Sequence, residues 1–173
     1  MPSRRDCLTG VIIAGTSGIA GCSGYLDRTT GTVFRKTVHV GVPSSRGPVW
    51  TNLAVLTLRS NRDSAYVEYD PRYVTVDTDG VRLTVSDEQY EALKLEFDGI
   101  SFGVGIAPDD GGDWINANSD RADFNELQVA GGATVGEFRG EDGSGFIRLH
   151  DTDPRRRNLE LTDVHRWEVT NRI

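Results

Sequence analysis

From Thr32 onward, apolar and polar residues alternate with a period of two, in short runs broken by Gly, Asp and Pro. This is the period of a β-strand, whose successive side chains point to opposite faces, and it leaves little room for helix. In TVFRKTVHVGV, residues 32–42, Phe34, Val38, Val40 and Val42 share one face, with Lys36 the exception. Arg35, Thr37 and His39 share the other. VWTNLAVLTL, residues 49–58, is apolar on both faces, as a central strand is. Val74 and Val76, then Val81, Leu83 and Val85, flank DTDG at 77–80, where Asp79-Gly80 suits a hairpin with the glycine at positive φ.

Residues 86–97 carry two patterns. Ser86 and Gln89 form a capping box, while Leu93, Leu95 and Phe97 alternate with charged residues. The reading is a helical turn over 86–91 and a hairpin over 92–106. Further strands are expected near 126–130, 134–139, 146–150 and 158–169. Eight to ten short strands with at most one short helix make the chain all-β. The expected architecture is an antiparallel β-sandwich, immunoglobulin-like or related, with a β-barrel as the alternative.

The formal charge is −7, with 17 Asp against 9 Glu and 17 Arg against only 2 Lys, Lys36 and Lys94. A chain of this sign is a poor partner for nucleic acid, which rewards clustered Lys and Arg. PRRRN, residues 154–158, is the one basic run, and Asp151 and Asp153 just before it nearly balance its charge. Asp-rich, Lys-poor composition resembles that of proteins from extremely halophilic archaea. In molar salt the Debye length falls to about 3 Å, so a surplus of carboxylates costs little stability.

The N-terminus differs from the rest. Arg4 and Arg5 precede a run from Cys7 to Leu26 with no charged residue, of which Leu8–Ala20 is mildly apolar. A charged start, a short apolar stretch and a small-residue exit are the parts of an export signal, and the run is too poor in apolar residues for a spanning helix. SRRDCL, with Ser3, Arg4, Arg5 and Leu8, resembles the twin-arginine export motif, Cys7 standing where Phe is usual. IAGC, ending at Cys22, resembles a lipobox, Ile19 standing where Leu is commoner. Together they resemble a haloarchaeal-type lipoprotein exported by the twin-arginine route. The resemblance implies removal of residues 1–21, a lipid on Cys22, a short tether over 22–31 and one β domain over 32–173. It also implies the outer face of the cell membrane as the location, with the export machinery and the membrane as partners. The processed chain would carry a net −8 over 152 residues, and Cys22 would be its only thiol. Disulfides and cysteine-based catalysis are then unavailable to it.

DDGGDWINANSDRADFNE, residues 109–126, reads as one long acidic loop. Asp109, Asp110, Asp113, Asn116, Asn118 and Asp120 supply the oxygen ligands that a hard cation such as calcium prefers. The spacing is not that of a helix-loop-helix calcium site, since Arg121 takes the glycine position. No other cofactor is indicated. Trp114 and Phe124 are the apolar contacts this loop offers a ligand, and Trp50 and Trp167 are read as core. His39, His150 and His165 fall in separate strands. GISFG, residues 99–103, matches G-x-S-x-G, but it lies within an alternating β run and not at the strand-to-helix turn that a hydrolase nucleophile occupies. The expected function is therefore a non-enzymatic binding or structural domain at the cell envelope, serving an envelope protein or a small ligand. The alternatives are a cation-binding lipoprotein and an envelope hydrolase using carboxylates.

Overall fold

The structure, a computed structural model, describes residues 28–60, 63–139, 145–153 and 159–169. The export signal with Arg4 and Arg5, and Cys22 with most of the tether, lie outside the described residues, as does PRRRN. The domain is all-β. Among the described residues, ten strands and two helices follow in the order β1 (Arg28–Val42), β2 (Val49–Leu58), β3 (Ser64–Tyr69), β4 (Thr75–Asp77), β5 (Arg82–Thr84), α1 (Asp87–Glu96), β6 (Gly99–Pro108), β7 (Ile115–Ser119), α2 (Arg121–Glu126), β8 (Gly132–Arg139), β9 (Gly145–Asp153) and β10 (Glu160–Arg166).

The barrel, not the sandwich, is the architecture. The main sheet runs β10-β3-β2-β1-β6-β7-β9-β8, and β8 returns to pair with β1. Strands β1, β6, β7, β9 and β8 thus close a ring, and β2, β3 and β10 extend from it. Two of the pairings, β10 with β3 and β7 with β9, are parallel. Closure depends on the 15-residue length of β1. Its start, Arg28 to Thr32, pairs with β8, while Arg35 to Val42 pairs with β2 and β6 runs beside both parts. Where β1 changes neighbour, a register shift between Val33 and Arg35 interrupts its ladder with β6. A bulge bends and twists a strand, which lets one strand serve both the ring and the extension.

The bulge also resets which residues face inward. Val33 is buried, Phe34 turns outward, and Lys36, Val38 and Val40 form the buried face beyond it. The apparent exception in the alternating pattern is therefore a core residue, and Lys36 is 1% exposed. Its Nζ donates to Leu83 O at 2.7 Å and Leu127 O at 2.8 Å, and lies 4.2 Å from the centre of the Phe124 ring. Burial, aided by the charge of Arg82, lowers its pKa to about 7.

Several local expectations change. The capping box at Ser86 and Gln89 forms, but α1 continues to Glu96. Leu93 is its buried residue, whereas Leu95 is 90% exposed. Four-residue spacing from Gln89 through Leu93 to Phe97 fits a helix as well as a strand, and the cap decides it. The hairpin over 92–106 is accordingly replaced by α1 followed by β6. A second helix, α2, exceeds the one expected; Asp120 caps it by accepting from Asp123 N at 2.8 Å. Residues 126–130 are not a strand: Glu126 ends α2, and the chain then turns at Val129 and Ala130, where Ala130 takes a left-handed φ of 64°. The β4–β5 hairpin forms around DTDG, but the positive φ is at Val81, 47°. There Asp77 Oδ1 accepts from Asp79 N and Gly80 N, leaving no room for a Cβ at Gly80.

Candidate functional site

The face of β1 opposite Lys36 carries Arg35, Thr37 and His39. In β6 their partners are Gly105, Gly103 and Ser101, and in β7 Asn116 stands beside Gly105 and Asn118 beside Gly103. Every outward position of β6 from Gly99 to Gly105 is thus Gly or Ser, with taller polar side chains on both neighbouring strands. The result is a trough on the outside of the barrel, with a cavity volume of about 350 Å³. That is within the range of small-molecule sites.

Aromatic rings stand around it. Trp50, 53% exposed, lies across Gly99, where a Cβ would meet its ring at 2.8 Å. Phe34 lies across Gly105, where a Cβ would meet its ring at 2.6 Å, and packs on Trp114 with ring centres 4.9 Å apart. Gly99 and Gly105 are six strand residues apart, about 20 Å. On the third side, Phe146 pairs with Asn118 and stacks on Phe138, centres 5.8 Å apart and planes at 10°. Trp50 is therefore not the core residue expected, while Trp167 does pack against the core.

Within the trough, Arg35 Nε donates to Thr37 Oγ1 at 3.2 Å, and Ser101 Oγ donates to Asn118 Oδ1 at 2.7 Å. The second bond leaves the amide nitrogen of Asn118 for other acceptors. Burial, then the charge of Arg35, pushes the His39 pKa below its usual value, so the imidazole is neutral at pH 7. Arg35 is then the one charge of the described lining, which contains no carboxylate.

Gly103 differs from the other two floor glycines. A Cβ there would make only ordinary contacts, the nearest being His39 Nε2 at 3.6 Å. At Gly99 and Gly105 an aromatic ring occupies the space a side chain would take; at Gly103 the space is the trough itself. Gly in a strand interior costs about 0.5–1 kcal/mol relative to Ala. We therefore expect Gly103→Ala to raise stability by about that amount. Gly105→Ala forces Phe34 off its seat and is expected to lower stability by about 1–3 kcal/mol. Urea midpoints of the two variants check both signs.

The stretch 109–126 is not one loop. It is a turn, strand β7 and helix α2, and these separate the residues expected to bind a cation. Asp109 and Asp110 sit in the β6–β7 turn, where Asp110 Oδ1 accepts from Gly112 N at 3.0 Å, and Asp113 is exposed beside it. Asp120 is at the other end of β7, about 17 Å of strand away, with its side chain on the α2 cap. Between them Asn116 and Asn118 face the trough. Trp114 is 64% exposed, whereas Phe124 is fully buried between Lys36 and Phe102 and is closed to an outside ligand. Among the described residues no group of three or more His, Cys, Asp or Glu is placed to hold a metal ion. His150 and His165 are exposed on β9 and β10, and His39 alone joins the trough.

Arg35, Thr37 and His39 read from sequence only as one face of a strand. The signal that marks their site is the spacing of Gly99, Ser101, Gly103 and Gly105, a row of the smallest residues on one strand face. Compared with protein-family models, with characterised proteins and with solved structures, the chain matches none.

Proposed function

We propose that the chain is an extracytoplasmic lipoprotein, exported by the twin-arginine route and held on the outer face of the membrane by a lipid on Cys22. Its barrel is a non-catalytic binding domain, and the trough on β1, β6 and β7 is its site. The open floor at Gly103 carries this reading, because the chain spends strand stability there on space that no protein group fills. The donors around that space suit binding. The described lining offers no carboxylate pair for hydrolysis, and Ser101, the serine of GISFG, donates its hydroxyl proton to Asn118 and not to the neighbouring His39. SRRDCL and IAGC support the anchor.

Two measurements test it. Intact mass of the protein from native membranes is expected to show loss of residues 1–21 and an added lipid, and precursor is expected to accumulate inside the cell when Arg4 and Arg5 are both replaced by Lys. An unmodified chain starting at Met1 contradicts the anchor. For the site, the full chain in detergent is screened by thermal shift against soluble envelope saccharides, peptides and metabolites. Ligands of the trough stabilise the wild type and not Gly103→Leu, whose side chain fills the floor. A ligand that stabilises both equally binds elsewhere.

A further inference from the structure

The lining of the trough narrows what it takes. The whole chain is at −7, yet among the described residues no carboxylate lines the trough or pairs with Arg35. Thr37 holds Nε, which fixes the guanidinium while its two terminal nitrogens have no acceptor among the described residues. A planar fork so positioned matches a carboxylate or sulfate, and charge-assisted bonds of this kind are about twice as strong as neutral ones.

The remainder of the trough fits an extended, hydroxyl-rich molecule. Asn116, Asn118 and neutral His39 offer both donors and acceptors. Trp50 and Trp114, standing toward the two ends, present apolar ring faces beside polar floor, the surface that the C–H faces of sugar rings cover. The cavity of about 350 Å³ is larger than a lone small anion fills. An extended peptide adds itself to a sheet edge. Strand β6 has no edge, since β1 and β7 are bonded to its two sides.

We propose that the trough is a saccharide site selective for sugars bearing a carboxylate or sulfate, with the anionic group on Arg35 and the sugar chain lying along the β6 floor. This rests on the trough being the binding site, and the test separates the two claims. The full chain in detergent, at fixed ionic strength, is titrated by calorimetry and tryptophan fluorescence with four probes. These are tetragalacturonate, sulfated maltotetraose, neutral maltotetraose, and sodium sulfate alone.

The acidic tetrasaccharides are expected to bind saturably, and the neutral one at least about tenfold more weakly. Arg35→Gln should weaken the acidic probes by about 10- to 100-fold and the neutral one far less. Gly103→Leu should abolish binding, and Asn116→Ala should weaken all the tetrasaccharides alike. Sulfate alone binding as tightly as the sulfated sugar overturns the saccharide assignment. Neutral and acidic sugars binding equally, indifferent to Arg35→Gln but lost in Gly103→Leu, overturns only the anionic selectivity. Tight binding that survives Gly103→Leu overturns the trough as the site altogether. Failure of every tetrasaccharide overturns the present inference, and the thermal-shift screen then decides the broader reading by itself.

Discussion

Raising the pH from 7 to 9.5 should stabilise this protein by about 3 kcal/mol, and Lys36→Met should remove the effect. Lys36 has a pKa of about 7 in the folded barrel against 10.5 in the open chain. Between those values the unfolded state holds a proton that the folded state has lost, so stability rises with pH. Below pH 7 both states are protonated and the slope vanishes, with the cost of a buried charge fully present. Tyr73 acts in the opposite sense but elsewhere: burial and Glu96 raise its pKa to about 12, so it subtracts stability only above pH 10. The pH 7–9.5 window therefore isolates the lysine.

Met fills the same space without a charge but leaves Leu83 O and Leu127 O without their donor. Each unsatisfied buried carbonyl costs about 1–3 kcal/mol. The variant should be less stable than wild type at pH 9.5, and the gap should narrow toward pH 6. Urea midpoints across the range read this directly. A wild-type curve flat from pH 7 to 9.5, or the same slope in Lys36→Met, would show that the amine titrates normally.

The second large effect is expected at Asp70, whose side chain is fully buried. It accepts from Arg72 N at 3.1 Å, Arg72 Nε at 3.0 Å, Arg72 Nη2 at 2.6 Å and Val169 N at 2.9 Å. One carboxylate thus ties the end of β3 to the segment after β10, where Val169 is itself buried. Burial acts to raise its pKa, but the bonds from Arg72 and Val169 and the charge of Arg72 outweigh it, leaving the pKa below the usual value. Asp70→Ala leaves the Val169 N–H buried without an acceptor and removes the charged pair. Arg72 remains 43% exposed and regains water, which limits the loss to about 2–4 kcal/mol.

The pH signature is opposite to that of Lys36. A depressed carboxylate contributes its full stability above pH 4, and the contribution disappears as the pH falls through the folded pKa. The difference between wild type and Asp70→Ala should therefore shrink only in acid. A loss below about 1 kcal/mol at pH 7, or a difference that does not shrink in acid, would count against this linkage.

Local chemistry was legible from the residues. Alternation located β1, β2, the β4–β5 hairpin, β8 and β9, and the Ser86–Gln89 box marked the start of α1. What escaped was set by contacts distant in sequence. Barrel closure rests on Arg28 to Thr32 meeting β8 a hundred residues later, which no local period encodes. The bulge after Val33 reverses the two faces of β1, so Phe34, which looked like core, is a wall of the trough. Lys36, which looked like an error in the pattern, is core. Phe124 looked available because the chain around it is acidic, but α2 turns it inward. Asn116 and Asn118 look in the sequence like cation ligands; their place beside the β6 glycines puts them in a different site, one that needs the β1–β6–β7 register to be seen.

The outward face of β1, β6 and β7 is the proposed binding surface. Amide chemical shifts of the isotope-labelled protein, followed during titration with tetragalacturonate, test it most directly. Saturable changes are expected, concentrated at Arg35–His39, Ser101–Gly105 and Asn116–Asn118. Absence of change there, or changes centred on the Asp109–Asp113 turn, would contradict it.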